Sequence, residues 1–566
     1  MFPAIDPTPD SVARIYATTA RNLAAARRRL GRPATLTDKV LLGHLDDPEH
    51  VEIAPGAGYV ALRPDRVVFQ DVLAQSAMLQ FMQTGHDRVA VPATIHCDHL
   101  IRAETSAGPD LARSLAENGE VYDFLMAVAA RYGCGFWRPG AGIVHQVVLE
   151  NYAFPGQLLI GTDSHTPNAG GLGTCAVGVG GADAVEVIAG LPWELLYPTR
   201  IAVHLTGALG GWTAPKDVIL KVAGILGVAG GTNAIIEYIG PGARTISATG
   251  KATIANMGAE LGATTSLFPW DARMARYLAA TGRQDLADVA DRHRDLLVPD
   301  AEAEADPERH YDQVVAIDLS TLEPQISGPH SPDRVRPLSA LAAEIAEPAN
   351  GLVDRISAAL IGSCTNSSYE DMGRAADIAR QAAAHGMVAA VPFLVTPGSR
   401  RVGVTIERDG QMAALDSFGG TVLANACGPC IGQWRRDDPA ADAPNTIVTS
   451  YNRNFPRRND GKPTTMNLIA SPEIVTALAL AGRLSFDPAR DALTAPDGKP
   501  FRLMPPAPAP DVPAEGFATV AGLYVAPPAD GRGIAIAIDP ASERLQALHP
   551  WPAWTGGDPQ GLRVLA

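Results

Sequence analysis

The stretch QLLIGTDSH (157–165) is an apolar run that ends directly in polar residues capable of chemistry. Runs of the same kind are RVAVPATIH (88–96), TRIAVHL (199–205), SAALIGS (357–363) and NTIVTSY (445–451). Between them lie Ala-rich windows with helical spacing, such as residues 11–30, 121–133, 214–226 and 372–386. Buried strands that alternate with helices are typical of α/β folds with mainly parallel sheets. The sequence therefore predicts an α/β fold.

Chemically suggestive residues follow these runs directly. They are Asp98 and His99, then Asp163 to His165, then Cys364, then Asn452 and Arg453. In open α/β sheets, ligands bind at the carboxyl ends of the strands. This placement is consistent with a ligand site at those ends.

Composition excludes several classes of protein. At about 150 residues per domain, 566 residues correspond to roughly three to four domains, and a hydrophobic fraction of 46% excludes global disorder. No uninterrupted apolar run approaches the ~20 residues of a membrane span, so no membrane partner is predicted. The net charge of −15 argues against nucleic acid as the main partner, because phosphate binding needs a basic face. A local basic pocket for a small anion is compatible with that charge.

The N-terminus and the cysteine content bear on location. Residues 1–16, MFPAIDPTPDSVARIY, lack the basic segment and apolar core of a secretory signal. The Arg-rich stretch at 21–33 lies within an Ala/Leu pattern typical of an ordinary amphipathic helix, and a mitochondrial presequence is the less favoured alternative. Six cysteines are too few for a disulfide scaffold and indicate a reducing compartment. Together with the richness in Ala, Arg and Pro, these features predict a cytoplasmic protein of bacterial type.

Three of the cysteines have a spacing that suggests a metal–sulfur site. Cys427-Gly428-Pro429-Cys430 is a C-x-x-C motif, and Cys364 lies upstream of it. Zinc would normally need four Cys or His ligands, and a thioredoxin-type motif would need no third cysteine. Three thiolates suit a [4Fe–4S] cluster with one iron left without a protein ligand, although the spacing alone leaves a redox or incidental C-x-x-C open. The remaining cysteines are interpreted as small buried residues: Cys97, Cys134 and Cys175.

Longer motifs around these residues carry a family resemblance. The four most specific are GTDSHTPNAGGLG (161–173), GSCTNSSYEDMGR (362–374), ANACGPCIGQW (424–434) and SYNRNFPRRND (450–460). They resemble the aconitase family of iron–sulfur hydro-lyases, and most of all its mitochondrial type. Further matching stretches extend the resemblance over essentially the whole chain.

The resemblance implies a role for each matching residue. The [4Fe–4S] cluster would be held by Cys364, Cys427 and Cys430, and contacted by Asn256 and Asn452. Substrate carboxylates would be bound by Gln70, Ser164, Arg453 and Arg458. The paired acid/base groups would be Asp98 with His99, His145 with Glu260, and Asp163 with His165.

The chemistry of these residue types agrees with those roles. Dehydration of a hydroxy-acid expels hydroxide, and a protonated His paired with a carboxylate can donate the necessary proton. An Arg side chain can grip a substrate carboxylate with two hydrogen bonds. The resemblance implies isomerisation of a hydroxy-tricarboxylate, citrate to isocitrate through cis-aconitate. Two alternatives are the same chemistry on another substituted malate, such as isopropylmalate or homocitrate, and a non-catalytic iron-sensing RNA-binding protein.

The sequence departs from the family pattern in two places. Aconitases normally continue for about one more domain, a swivel domain whose Ser-Ser-Arg loop provides the serine base and a further substrate arginine. This sequence ends at Ala566, which favours a separate small subunit that carries the swivel domain; truncation and altered chemistry are the alternatives. The second departure is Arg457, where the family usually has Gly before the Arg at 458. The extra cation either faces solvent or favours a more anionic substrate.

The predicted architecture has three α/β domains with mainly parallel sheets around a central [4Fe–4S] cluster. Their expected extents are 1–198, 199–317 and 318–505, and the last carries the cluster cysteines. The Pro-rich stretch LMPPAPAPDVPAEG (503–516) is typical of an extended linker. Residues 506–566 are therefore expected to lead toward the absent swivel domain.

Overall fold

The computed structural model describes residues 5–548. Within this range the chain forms three large sheets and two small two-stranded sheets. Most strands of the large sheets are parallel, and helices connect them, so the α/β class predicted from the alternation of strands and helices is confirmed. No helix of the described part has the length and apolar character that crossing a bilayer requires.

The first large sheet has six strands, in the spatial order Tyr524–Val525, Gly135–Trp137, Ala93–His96, Arg66–Gln70, Leu158–Gly161 and Cys175–Gly178. The last five are parallel to their neighbours, and the first pairs antiparallel with Gly135–Trp137. The α-helices of this part of the chain are Pro9–Leu30, Leu36–Gly43, Asp71–Phe81, Ala107–Glu117, Gly119–Tyr132, Val144–Asn151 and Gly181–Ile188. A small antiparallel sheet of Tyr59–Leu62 and Trp193–Leu196 lies beside it.

The second large sheet has four parallel strands, in the order Thr265–Leu267, Ala234–Ile239, Thr199–Thr206 and Gln313–Asp318. Its α-helices are Pro215–Leu226, Ala248–Asn256, Ala272–Ala280, Gln284–Arg292, Ala301–Ala305 and Pro307–His310. The helix Ala248–Asn256 packs on the 3-10 helix Thr166–Leu172 of the first sheet's region. A Cβ on Gly171 would collide there with the backbone of Ala252, so glycine at this position permits the close approach of the two helices.

The third large sheet has seven strands, in the order Val335–Pro337, Gln325–Ser327, Thr465–Ile469, Asn445–Thr449, Ile356–Gly362, Phe393–Thr396 and Gly420–Val422. The last five are parallel, and the first two pair antiparallel. Its α-helices are Leu338–Ala346, Tyr369–Ala384, Arg400–Arg408, Gln411–Ser417 and Pro472–Ala481. A two-stranded sheet of Leu493–Thr494 and Pro500–Phe501 follows. The short 3-10 helices of the chain include Met82–Thr84, Gly242–Thr245, Met257–Leu261, Arg294–Leu296, Pro348–Asn350, Gly428–Ile431 and Pro439–Asp442.

The segment expected to be a linker is extended but packed. Val512 and Leu545 are buried, and Asp511 forms ion pairs with Arg273 (3.4 Å) and Arg276 (3.1 Å). Tyr524–Val525 completes the edge of the first sheet. As far as residue 548 this segment therefore lies against the body of the protein, and residues 549–566 fall outside the described part. The domain boundaries stay a prediction.

Candidate active site

The three cysteines of the suggested metal–sulfur site lie on loops of the third sheet and are buried. Cys364 follows the strand Ile356–Gly362 by two residues and is 2% exposed. Cys427 and Cys430 lie at the start and within the 3-10 helix Gly428–Ile431, and they are 6% and 3% exposed. A 3-10 turn thus places both cysteines of the C-x-x-C motif in the same buried region as Cys364.

Two asparagine side chains contact the sulfur atoms. Asn256 Nδ2 donates to Cys364 Sγ (3.2 Å), and Asn452 Nδ2 lies 3.4 Å from the same sulfur. The Cys430 thiol donates to Asn452 Oδ1 (3.1 Å). Thr365 Oγ1 joins the two asparagines, since it donates to Asn256 Oδ1 and accepts from Asn452 Nδ2, at 3.0 Å each. Amide N–H groups directed at sulfur are the contacts that tune metal–thiolate centres.

The donor set fits a metal–sulfur group. Burial raises the pKa of Cys364 to about 12, and burial with the nearby Asp98 carboxylate holds the pKa of Cys427 well above its usual range. In this state the thiols keep their protons, and a metal would displace them because it binds the thiolate. Nitrogen donors stand close by: one ligand atom from each of His145, His165 and Cys364 lies within 4.8 Å of the other two.

The site lies where loops of all three large sheets meet. The Cys427 N–H donates to the carbonyl of Asp98 (3.0 Å), which follows a strand of the first sheet. Gln146 Nε2 donates to the Cys364 carbonyl (2.7 Å). From the second sheet's region, Thr253 Oγ1 donates to the carbonyl of Thr365 (2.7 Å). The polar residues therefore come together because they lie at the carboxyl ends of the strands, as predicted from the sequence.

His99 is held between two carboxylates. Its Nδ1 lies 2.8 Å from Asp98 Oδ1, and its Nε2 lies 3.0 Å from Asp163 Oδ2. Because a carboxylate oxygen can only accept, both ring nitrogens carry protons and the imidazole is charged. Although burial lowers it, the pKa of His99 is raised well above its usual range by Asp98 and Asp163.

The other two histidines are paired differently from the expectation. His145 Nε2 lies 2.8 Å from Asp163 Oδ1, whereas His165 Nε2 lies 2.8 Å from Glu260 Oε1. His145 is therefore paired with Asp163 rather than with Glu260, whereas the predicted pair of Asp163 with His165 is present as a longer contact, 3.6 Å between Asp163 Oδ1 and His165 Nδ1. Asp163 turns its carboxylate toward His99 and His145 and holds its sequence neighbour His165 through the backbone N–H (2.8 Å). Glu260 reaches His165 from the 3-10 helix Met257–Leu261 of another region, a proximity that spacing along the chain does not reveal.

The carboxylates of this network are ionised. Burial alone would raise the pKa of Asp163, but His145, His165 and His99 hold it well below its usual range. Glu260 behaves in the same way, since its contacts with His165 and Arg453 lower its pKa against the effect of burial. The centre is therefore a network of carboxylates and histidines in hydrogen-bond contact, in which a proton can move between neighbouring groups.

Of the four expected substrate-binding residues, Arg453 contacts this network directly and Ser164 contacts Arg453. Arg453 Nε lies 3.0 Å from both oxygens of Glu260, and its Nη2 donates to Ser164 Oγ (3.0 Å). The Gln70 side-chain oxygen instead accepts from the backbone N–H groups of residues 72 and 73, so it caps a helix while the residue stays at the strand end. Among the described residues, the buried Nε of Arg458 has no hydrogen-bond partner. A free guanidinium N–H beside the site suits an anionic ligand.

The unusual Arg457 has a backbone explanation. Its φ is +67°, the left-handed conformation that glycine adopts without strain, which is where the family resemblance expects Gly. The side chain is exposed. The structure thus favours the solvent-facing alternative for this cation.

Two residues near the site escaped sequence reasoning. Asp71 Oδ1 accepts the backbone N–H of His99 (3.0 Å), and burial together with Asp98 raises its pKa to about 7. Its position directly after Gln70 at a strand end was a usable signal. Lys216 is fully buried close to the site, but one Lys in an apolar helical window resembles a surface residue.

The chain is similar to known proteins over most of its length. Residues 38–482 match the aconitase family (aconitate hydratase). The chain is 54% identical to the mitochondrial aconitate hydratase of Gracilaria gracilis over 97% of this chain and 69% of that protein, and 54% identical to the one of Saccharomyces cerevisiae over 97% and 70%. The probable mitochondrial aconitate hydratase of Caenorhabditis elegans is 52% identical over 97% and 69%. A crystal structure of Thermococcus kodakaraensis aconitase X has a TM-score of only 0.40 at 12% identity, over 77% of this chain and 92% of that one.

The relatives also correct one expectation. All three are named as mitochondrial proteins, which contradicts the predicted cytoplasmic location. Targeting sets the compartment, whereas composition and cysteine usage report only that the interior is reducing, and this is why they could not decide between the two.

Proposed function

Because the chain belongs to the aconitase family and is a hydro-lyase of the aconitate hydratase type, we propose that it interconverts citrate and isocitrate through cis-aconitate. The observation that carries this proposal is the convergence of three buried cysteines with three histidine–carboxylate pairs. A redox C-x-x-C would not need that acid/base network.

Cys364, Cys427 and Cys430 would hold a [4Fe–4S] cluster as thiolates, with the amide N–H groups of Asn256 and Asn452 directed at the Cys364 sulfur. When bound, the cluster supplies a Lewis-acidic iron that polarises the substrate hydroxyl. Three protein thiolates are the number that leaves such an iron open.

His99 would deliver the proton that the departing hydroxide needs. It is charged, and the Asp98 carboxylate on its Nδ1 orients the ring while Nε2 faces Asp163. Asp163 also contacts His145, so the proton that His99 gives up can be replaced from a neighbouring group. General acid catalysis of this kind contributes about 10²- to 10⁴-fold to a rate.

The two arginines would bind the substrate carboxylates. Arg453 is oriented by Glu260 on its Nε edge, and the exposed Ser164 hydroxyl lies against its Nη2. Arg458 offers an N–H that no described residue occupies. Replacing water by bidentate Arg contacts orients a tricarboxylate with respect to His99.

We propose that a swivel domain on a separate small subunit supplies the base that takes the carbon-bound proton. Supporting this, Ser164, Phe455 and Arg457 are exposed at or next to the arginine side of the site, with Phe455 43% exposed. An exposed aromatic side chain beside a polar site is suited to cover by another surface.

Anaerobic reconstitution with iron and sulfide tests the function. Wild-type protein is expected to take up iron and, with its partner present, to hydrate cis-aconitate. Glu260→Gln should retain the iron but lose about 10²- to 10⁴-fold in kcat, since His165 and Arg453 lose their charged partner. Glu237→Gln is the matched control, because Glu237 is a buried carboxylate that caps a distant helix through residues 36 and 37.

Two results would contradict these proposals. Full kcat in Glu260→Gln would remove the acid/base network from the reaction. For the subunit, an anaerobic pull-down from the native host should yield a stoichiometric partner of roughly one domain, about 20 kDa. Full turnover by this chain alone would exclude a base supplied by a partner.

A further inference from the structure

Lys216 is a charged residue in the interior next to the site. It lies in the first turn of the helix Pro215–Leu226, and its side chain is fully buried. Its Nζ donates to the carbonyls of Ser450 (2.9 Å) and Tyr451 (2.7 Å) and to Met257 Sδ (3.3 Å). All three acceptors are neutral, and no carboxylate between residues 5 and 548 forms an ion pair with it.

The acceptors of this ammonium belong to the two segments that carry the sulfur-directed amides. Met257 directly follows Asn256, and Ser450 and Tyr451 directly precede Asn452. Both asparagines place Nδ2 near Cys364 Sγ, at 3.2 and 3.4 Å. The ammonium of Lys216 therefore binds both chain segments whose asparagine side chains contact Cys364 Sγ.

A positive charge at the position of Lys216 is energetically unfavourable unless other charges compensate it. Burial lowers its pKa to about 7, while Asp371 and then Cys364 and Cys430 act in the opposite direction. A basic residue at a helix N-terminus is also repelled by the positive end of the helix dipole. A buried ammonium with only neutral contacts persists where nearby negative charge offsets its desolvation, and thiolates of a metal–sulfur centre provide such charge.

A comparison within the same region separates this from ordinary packing. Lys251 is also buried, at 1% exposure, and lies in the same helix as Asn256, but its ammonium forms an ion pair with Asp271. A lysine kept only for stability has such a partner. Lys216 lacks a carboxylate partner and instead contacts backbone carbonyls of the loop that precedes Asn452.

We propose that Lys216 is a positioning residue for the iron–sulfur centre: its ammonium fixes the Asn256–Met257 and Ser450–Asn452 segments beneath Cys364, and its charge offsets that of the cysteine thiolates. This inference rests on the proposed function, because it presupposes that the three cysteines hold a cluster.

The test uses full-length Lys216→Met, which removes charge and donors, and Lys216→Gln, which keeps an N–H donor without charge. Lys251→Met is the matched control. Each protein is reconstituted anaerobically; iron and sulfide content, loss of iron to a chelator and the reduction potential of the cluster are measured. The folding of the iron-free forms is followed by circular dichroism.

We expect both Lys216 variants to have a more negative reduction potential, because loss of a nearby positive charge favours the oxidised cluster. Lys216→Met should lose iron about 10- to 100-fold faster, as removal of a residue behind metal ligands commonly does. Lys216→Gln should retain iron better than Lys216→Met does. Its reduction potential should stay as negative as that of Lys216→Met, because both variants lack the charge. Lys251→Met should unfold more easily while its cluster keeps the wild-type potential.

Three outcomes would overturn the inference. Wild-type potential in both Lys216 variants would show that the charge does not act on the cluster. Failure of both iron-free variants to fold would assign Lys216 a purely structural role. A wild-type protein that binds no iron under the same conditions would overturn the proposed function itself, and this inference with it.

Discussion

The chain contains two sets of three buried cysteines with opposite surroundings. Cys97, Cys134 and Cys175 lie next to or within strands of the first sheet and pack into one apolar core. Cys364, Cys427 and Cys430 lie on loops of the third sheet, among amides and charged pairs. All six are buried free thiols, so burial does not distinguish a metal-binding cysteine from a core residue. The polar groups directed at sulfur make the difference.

Backbone conformation separates the two sets as well. Cys364 is preceded by Gly362 at φ +112° and Ser363 at φ +66°, and the second is a conformation that costs an L-residue about 1–2 kcal/mol. Cys175 instead begins the regular strand Cys175–Gly178. Strained backbone is kept where it aims a functional group, and regular strands suffice where a small side chain only fills space.

The strongest way to break this comparison is to exchange cysteines for serine in each set. Cys427→Ser should abolish both the cluster absorbance and the activity, because a neutral hydroxyl cannot replace a thiolate ligand. Cys175→Ser should keep both and lose only about 1–3 kcal/mol of stability, from a hydroxyl in an apolar core. Visible absorbance, iron content and cis-aconitate hydration measure the outcome. A full cluster in Cys427→Ser would mean that the two sets do not differ as described.

Gly362→Ala tests the strained loop without touching a sulfur. A Cβ at this position would overlap the carbonyl of Thr396, so the loop that carries Cys364 must shift. We expect a loss of roughly 3–5 kcal/mol in the unfolding free energy of the iron-free protein, and little iron bound on reconstitution. Denaturant unfolding and iron analysis provide the readouts.

Gly351→Ala is the control for that change. Gly351 also has a positive φ, +65°, but a Cβ there has no atom within 4 Å. Gly351→Ala should lower the free energy of unfolding by about 1 kcal/mol and should keep the cluster bound. Equal iron retention in the two alanine variants would show that the geometry before Cys364 is not needed.

Asn452→Leu tests whether the polar contacts to sulfur distinguish the two sets of cysteines. Loss of the amide that faces Cys364 and Cys430 should weaken iron retention about 10- to 100-fold in a chelator competition. Thr265→Val is the corresponding change beside Cys175, where Thr265 Oγ1 donates to the Ala176 carbonyl (2.6 Å). That variant should lose about 1 kcal/mol of stability with iron retention unchanged. Iron retention at the wild-type level in Asn452→Leu would remove the distinction drawn from the amides.

Arg457→Gly gives the smallest expected effect. Glycine relieves the left-handed strain at this loop position but gains entropy in the unfolded chain, so the net gain in unfolding free energy should be about 0.5–1 kcal/mol. KM values for citrate and isocitrate should not change, since the side chain faces solvent. A raised KM for either substrate would instead place Arg457 at the substrate.

Much of the site could be predicted from the sequence because its polar residues directly follow the apolar runs that form strands. Residues that follow an apolar run must leave the sheet at its carboxyl edge, and this places Asp98, Asp163, Cys364 and Asn452 on the correct side. The contact between His165 and Glu260 was missed because 95 residues separate the two along the chain. Adjacent residues can also serve opposite purposes: Cys97 packs in the core while its neighbour Asp98 faces the site.

By itself, the sequence determined the α/β class, the family and the inventory of reactive residues, because these depend on local periodicity and on motifs read along the chain. Only the tertiary structure decided which carboxylate faces which histidine, that both asparagines contact Cys364, and that Lys216 lies behind them. Those relations join loops of three separate sheets. Hydrogen bonds and charges act over a few ångströms in space, and distance along the chain does not set that separation.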